Sequence, residues 1–375
     1  MPHLSKTQIL KRLNQNFILP TFLDKKYLPS LDGWRAIAIL QVILAHARYT
    51  VNENSIYAGF ADIIIYGELG VKIFFVLSGF LITTLLIKEL IRTKRINIWQ
   101  FFIKRALRIF PVLYLYLIVT AIVGLIFNLN LTIENFTGAF LYLNNYNYFS
   151  KIWLVGHTWT LAVEEQFYLI WPFIFLLFKK NIIVICFIFT LFAPIIYLFW
   201  RFYPQDLYLD VSSFFGNADA IFTGSLFAIM SFKGFVIEKH KIWASKILSI
   251  IAFALLFVIY YSFRNNLFGN IINNISSTIC NFTIGFLMLQ TLINSSSKLY
   301  SLLNNSWIIR LGIISYSLYI WQQLFIVPNG FYVDLPRAIF PWNILISLFV
   351  AFLSYHYYET YFLNLKKKFI RYKIE

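Results

Sequence analysis

Charge is scarce in this sequence. Only 13% of its 375 residues are Asp, Glu, Lys or Arg, about half the share of an ordinary soluble domain. That leaves too little polar surface to cover a chain of this size in water, which excludes a large soluble globule. Acidic residues are scarcer still, 16 against 32 Lys and Arg. Cysteine is nearly absent. Cys186 and Cys280 both sit in apolar runs and read as small packing residues, so neither disulfide nor metal chemistry is expected. The first 30 residues hold no apolar core of a leader, so no cleavable signal peptide is expected. There is also no internal repeat, low-complexity linker or segment that reads as a soluble domain.

What is abundant is apolar: 59% of residues are hydrophobic, with 41 Phe and 24 Tyr. They come in runs of roughly 18 to 22, the length that crosses a hydrocarbon core of about 30 Å. The fold class predicted is an all-α, polytopic transmembrane helix bundle. About ten spans are predicted, near 31–50, 69–90, 109–129, 158–178, 182–200, 214–232, 243–263, 275–293, 311–327 and 342–362. Residues 1–30 form an N-terminal cytoplasmic segment in which Ile9, Leu10, Leu13 and Phe17 fall near the spacing of an interfacial helix. Residues 31–362 form the membrane domain, and 363–375 a basic cytoplasmic tail.

With the N-terminus inside and spans alternating, the inside segments collect 25 of the 32 Lys and Arg. This bias predicts that both termini are cytoplasmic. It also accounts for the net charge of +16 without nucleic acid.

Ionisable residues within spans are expensive and usually mark a pathway or a site. Arg35 and His46 lie 11 residues apart on the first span, so they share a face with a rise of about 16 Å. Arg35 reads either as a snorkelling cation or as part of a site, and His46 either as a packing residue or as a base. Glu164 and Glu165 are consecutive and point about 100° apart, so at most one faces a given site. Counted from the inner ends of their spans, His46, Glu165 and Asp219 fall at a similar depth of about 20 Å. Ser78-Gly79 is a small pair at mid-membrane, suited to close helix packing or to ligand approach. Arg105 and Arg108 share a face ahead of the third span, with Pro111 in that helix's first turn. Paired guanidiniums fit phosphate, whether on a ligand or on anionic lipid. In the loop 130–157, Tyr142-Leu-Asn-Asn-Tyr-Asn-Tyr-Phe149 interleaves amides with aromatics, as in sugar sites and in ordinary interfacial belts.

Taken in order, these segments resemble the acyltransferase 3 family of integral membrane acyltransferases. The matching pieces are Leu31-Asp-Gly-Trp-Arg-Ala-Ile-Ala-Ile-Leu with His46 beyond it, Gly70-Val-Lys-Ile-Phe-Phe-Val-Leu-Ser-Gly-Phe-Leu-Ile82 and Arg105-Ala-Leu-Arg108-Ile-Phe-Pro111. Then come Trp159-Thr-Leu-Ala-Val-Glu-Glu-Gln-Phe-Tyr168, Leu311-Gly-Ile-Ile-Ser-Tyr-Ser-Leu-Tyr-Ile-Trp321 and, at the close, Glu359. The match runs from about residue 29 to 362. Three departures stand out. Gln322 follows Trp321 where many members have His, Asn217 stands where an Arg often precedes the residue matched by Asp219, and Tyr361 replaces a frequent Pro.

The resemblance implies transfer of an acyl group, commonly acetyl, from cytoplasmic acyl-CoA to a hydroxyl at the outer side, mostly on cell-surface carbohydrate. It implies roles for Arg35, His46, the two arginines and the Glu motif. On this reading acetyl-CoA or another acyl-CoA is the donor and no metal is needed. Arg105, Arg108 and the deeper Arg35 hold its phosphates, and the pantetheine arm passes Phe74, Phe75, Ser78 and Gly79. His46 acts as general base and Glu165 orients it, with Glu164 and Asp219 in reserve. Trp159 and Tyr168 are assigned to the acceptor. An acyl-enzyme on His46 or Ser78 competes with direct transfer. The expected partners are the lipid bilayer, acyl-CoA and a carbohydrate acceptor, with no nucleic acid. Some family members carry a C-terminal esterase-like domain; this chain would act alone or with a separate extracytoplasmic partner of that kind. The expected location is the bacterial cytoplasmic (inner) membrane. A transporter or flippase of a lipid-linked sugar is the rival reading, and it predicts movement without CoA dependence. A non-catalytic sensor or scaffold would predict loss of the His or Glu positions, yet both are present.

Overall fold

The computed structural model describes residues 16–146, 148–149, 152–202, 214–237, 240–265, 269–332 and 335–368. Ile9, Leu10 and Leu13 of the expected interfacial helix, and residues 369–375 of the basic tail, lie outside the described residues. Among the described residues all regular structure is helical. The helices are α1 (Pro29–Ala47), α2 (Ile56–Ile64), α3 (Gly67–Thr93), α4 (Ile98–Ile126), α5 (Ile133–Phe140), α6 (Trp153–Gly156), α7 (Trp159–Leu177) and α8 (Ile182–Phe202). They continue with α9 (Phe214–Phe232), α10 (Lys246–Arg264), α11 (Gly269–Ile293), α12 (Lys298–Leu303), α13 (Ser306–Ile313), α14 (Ser315–Phe325), α15 (Trp342–Leu353) and α16 (Thr360–Lys368), with short 3₁₀ turns between some of them.

Five helical stretches among the described residues are long and apolar enough to cross a membrane. They are Gly67–Thr93, Ile98–Ile126, Trp153–Leu177, Lys246–Arg264 and Ile275–Ile293. Other expected spans coincide with helices that are charged or interrupted. Helix α1 carries Asp32 and Arg35. The stretch expected at 311–327 is divided between α13 and α14. The last one passes through a π-helical turn at Ser354–Glu359, a distortion that often re-aims side chains at a site.

Local chemistry sets the helix starts. Asn97 Oδ1 accepts from the Gln100 N–H at 3.0 Å, so α4 begins at Ile98. This changes the reading of Pro111, which lies inside α4 and not in its first turn. Arg105 and Arg108 are therefore helical residues already. Proline leaves a helix carbonyl unpaired, and nearby the Ile109 carbonyl accepts from the Tyr316 hydroxyl at 2.5 Å.

The chain packs as two compact units. The first comprises Met1–Arg35, Lys72–Ile96 and Ile170–Ile309. Here α3 and α9 cross at paired glycines. A Cβ on Gly79 would overlap the Ile221 carbonyl, and one on Gly224 would overlap the Val76 carbonyl. Ser225 Oγ donates to the Gly79 carbonyl at 3.3 Å. Trp171 anchors the core, donating from Nε1 to Thr83 Oγ1 at 2.9 Å and meeting Phe222 edge-on at 5.4 Å.

The second unit comprises Ala36–Val71, Asn97–Leu169 and Arg310–Glu375. In it α14 packs on α15 and α4, and α16 packs on α4. A small apolar core of Leu129, Leu154, Val327 and Leu335 supports Trp153 and Tyr332.

Candidate active site

Two polar clusters lie inside the second unit, and α4 runs through both. The first surrounds His46, at the end of α1. Its Nδ1–H donates to Gln322 Oε1 at 2.8 Å. An amide oxygen can only accept, so this bond leaves the imidazole lone pair on Nε2, the tautomer a general base needs. Trp153 packs against the imidazole with ring centroids 5.3 Å apart, edge to face. Trp153 is itself fixed, its Nε1–H donating to the Ile326 carbonyl at 3.0 Å. Tyr49 and Phe331, both more than half exposed, flank the same indole at 6.4 Å.

A second histidine belongs to this cluster. His157 sits at the turn between α6 and α7, 2% exposed, close enough to His46 for their charges to interact. Its ring stands between Tyr116, at 5.5 Å and perpendicular, and Tyr319, at 5.4 Å. The Tyr319 hydroxyl donates to the His157 carbonyl at 2.7 Å. The His157 backbone N–H donates to Gln323 Oε1 at 3.3 Å. Consecutive glutamines on α14 thus each hold one histidine residue. Tyr116 also meets Trp321 edge-on at 5.5 Å.

Buried polar atoms in this cluster exceed their partners. Gln322 Nε2 and Trp321 Nε1 are buried without a hydrogen bond of good geometry. Each such group costs about 1–3 kcal/mol in a folded protein, so their concentration beside one histidine calls for a reason.

The second cluster brings arginines within the field of carboxylates. The Arg105 guanidinium lies over the Tyr168 ring at 5.2 Å, and its charge acts on Glu165. The Tyr168 hydroxyl donates to Glu164 Oε2 at 3.0 Å. One α4 turn on, the charge of Arg108 acts on Glu359, whose Oε2 accepts from Ser317 Oγ at 2.6 Å. The π-helical turn that ends at Glu359 accompanies its burial, at 4% exposure.

Depth separates the clusters. Tyr116 touches His157, while Arg105 lies 11 residues earlier on the same helix, a rise of about 16 Å. Glu165 is eight residues beyond His157, or about 12 Å further along the chain if helical throughout. The hydrogen bond to His46 comes from Gln322, and Glu165 stands in the field of Arg105 with Oε1 unpaired. The similar depths read from span boundaries do not bring Glu165 to the imidazole. Tyr168 joins the arginine cluster, and Trp159 is half-buried at the start of α7.

The remaining expected site residues fall in the first unit. Arg35 pairs with Asp32, three residues earlier on α1, whose other oxygen accepts from the Tyr27 hydroxyl at 2.6 Å. Asp219 is fully engaged. Its Oδ2 accepts from Thr278 Oγ1 at 2.9 Å and Asn281 Nδ2 at 2.8 Å, and its Oδ1 from the Ala220 N–H at 2.8 Å. Lys72 adds its charge and donates to Ser277 Oγ. On α3, Phe75 and Gly79 are buried while Phe74 and Ser78 lie half-buried on another face. The α9 backbone fills the space that a Cβ on Gly79 would take, the close packing that a small Ser-Gly pair suits; Phe74 and Ser78 keep some exposed surface. Among the described residues no group of three or more His, Cys, Asp and Glu forms.

Gln322, which stands where many family members have His, carries no role in the sequence motifs, and neither do His157 and Ser317. Their signal was present in the motifs, but the partners lie far away in sequence.

Comparison with known proteins gives a consistent result. The acyltransferase domain of the acyltransferase 3 family matches residues 28–356. The chain is 31% identical over 380 residues to the O-acetyltransferase OatA of Staphylococcus aureus, covering 94% of this chain and 59% of that protein. It is 34% identical over 171 residues to the peptidoglycan O-acetyltransferase OatA of Listeria monocytogenes, covering 42% of this chain and 25% of the relative. The chain therefore spans less than two thirds of the length of these curated relatives. No solved structure matches it significantly.

Proposed function

This chain belongs to the acyltransferase 3 family, and from that membership we propose that it is a membrane O-acyltransferase, moving an acetyl group from acetyl-CoA to a hydroxyl of a cell-surface carbohydrate. The observation that carries this reading is the pairing of two clusters along α4, one that suits phosphate and one that suits proton transfer. Arg105 and Arg108 receive the donor's phosphates, and the separation of about 16 Å from Arg105 to the histidine cluster is within reach of a pantetheine arm. The thioester then lies at His46. Its Nε2, freed by the Gln322 bond to Nδ1, takes the proton of the attacking hydroxyl.

The carboxylates beside the arginines act as counter-charges. Glu165 and Glu359 balance Arg105 and Arg108 until phosphate replaces them, which revises the triad-like role first assigned to Glu165. On the acceptor side, Tyr49, Trp153 and Phe331 form an aromatic surface that meets His46 through Trp153, suited to the face of a pyranose ring. The excess of Lys and Arg in alternate connecting segments supports ten spans with both termini cytoplasmic in a bacterial inner membrane. That topology puts the arginines on the side where CoA is found. The names of the relatives support a carbohydrate acceptor, peptidoglycan among the candidates.

The test is CoA release from acetyl-CoA by the purified chain in lipid nanodiscs, with and without soluble N-acetylglucosamine oligomers. His46→Ala should reduce acceptor-dependent release by about 100-fold or more. Release at the wild-type rate would remove His46 from the mechanism.

A further inference from the structure

Gln322 has one end employed and the other idle. Its Oε1 accepts from His46, yet Nε2 has no partner although the residue is 0% exposed. Buried Gln290 and half-buried Gln166 are used at both ends. Gln290 donates to the Ser245 carbonyl at 3.1 Å and accepts from Ser249 Oγ at 2.8 Å. Gln166 donates to the Tyr142 carbonyl at 3.0 Å and to Asn145 Oδ1 at 2.9 Å. The amide is planar, so the bond that fixes Oε1 on the imidazole also fixes the direction of the free N–H bonds. They lie at the Nδ1 edge of the ring, across from the Nε2 that is to receive a proton.

Buried, pre-aimed N–H donors next to a general base are what an acyl transfer needs for the charge that develops on the carbonyl oxygen. We infer that Gln322 is a catalytic residue whose Nε2–H binds the thioester carbonyl oxygen and stabilises its oxyanion, while its Oε1 orients His46. This rests on the acyltransferase reading above. In the step itself, the acceptor oxygen bonds to the carbonyl carbon and its proton passes to His46 Nε2. The carbonyl π pair moves onto the oxygen held by Gln322. The intermediate then collapses: the C–S bond breaks, the carbonyl re-forms, and the CoA thiolate takes the proton from His46. Atoms and charge balance with no further reactant.

Three substitutions separate donor from acceptor. Gln322→His offers one accepting nitrogen and one N–H, Gln322→Glu accepts without donating when ionised, and Gln322→Met does neither. Each is assayed at neutral pH in the purified full chain, with acetyl-CoA and an N-acetylglucosamine tetramer. Gln322→Glu and Gln322→Met should lose about 100- to 1000-fold in kcat, with the KM for acetyl-CoA nearly unchanged, and Gln322→His should retain most activity. A second readout does not depend on turnover. The carbonyl stretch of bound acetonyl-CoA, a non-cleavable ketone analogue, should move to lower frequency in wild type and Gln322→His but not in the other two. Wild-type activity in Gln322→Glu, or a stretch lowered there as far as in wild type, would overturn the donor role and leave the acyltransferase reading intact. If the wild type itself releases no CoA, that reading fails and takes this inference with it.

Discussion

His46 and Gln322, 276 residues apart in sequence, meet through a single 2.8 Å hydrogen bond from Nδ1–H to Oε1. The bond sets the tautomer, and the tautomer leaves the lone pair on Nε2, the nitrogen proposed to face substrate. A neutral amide does this without adding a charge to a buried site, where an ionised partner would carry a desolvation cost.

Arg105 and Arg108 are assigned to phosphate. Removing a hydrogen bond to a charged group costs about 1.5–3 kcal/mol, so Arg105→Ala or Arg108→Ala should raise the KM for acetyl-CoA about 10- to 100-fold, with a much smaller change in kcat. Steady-state kinetics with acetyl-CoA and acetyl-pantetheine provide the check. The variants should lose their preference for the phosphorylated donor. A retained preference would place the phosphates elsewhere.

Glu359 offers a contrast within the same cluster. Glu359→Gln keeps an acceptor for Ser317 Oγ but removes the charge facing Arg108. The expected result is a lower KM for acetyl-CoA and a melting temperature close to wild type. Glu359→Ala strands the buried Ser317 hydroxyl and should cost about 1–3 kcal/mol of stability, seen as earlier thermal unfolding in detergent. A higher KM for Glu359→Gln would mean that the carboxylate itself serves the donor.

Tyr49 and Phe331 are assigned to the acceptor. Tyr49→Ala and Phe331→Ala should raise the KM for an N-acetylglucosamine oligomer several-fold, since aromatic stacking contributes about 0.5–1.5 kcal/mol beyond area. The KM for acetyl-CoA should not move. Equal effects on both substrates would instead point to a general loosening around Trp153.

Packing makes a separate prediction in the first unit. A side chain at Gly79 meets the Ile221 backbone carbonyl, which cannot rotate away. Gly79→Leu should therefore cost more than the roughly 1–3 kcal/mol of ordinary overpacking and abolish a folded, monodisperse product. Gly59→Ala, with nothing within 4 Å of the new carbon, is the control and should unfold like wild type.

The sequence by itself determined that the chain is helical and built for a membrane, that it belongs to the acyltransferase 3 family, and that His46, Arg105 and Arg108 deserve attention. These are local properties. A long apolar run, a charge bias across connecting segments and an ordered set of motifs can be read without knowing what touches what. Only the tertiary structure decided the partners. Sequence depth estimates set Glu165 level with His46, but α7 starts after the His157 turn, and that offset carries Glu165 down to Arg105. Asn97 caps α4 early enough to leave Pro111 inside it. Ser78-Gly79 fitted helix packing and ligand approach equally well until the α9 backbone was seen to fill the space beside Gly79. Gln322 looked like an absence because a residue's chemistry depends on what lies opposite it, and its counterpart is on the first helix.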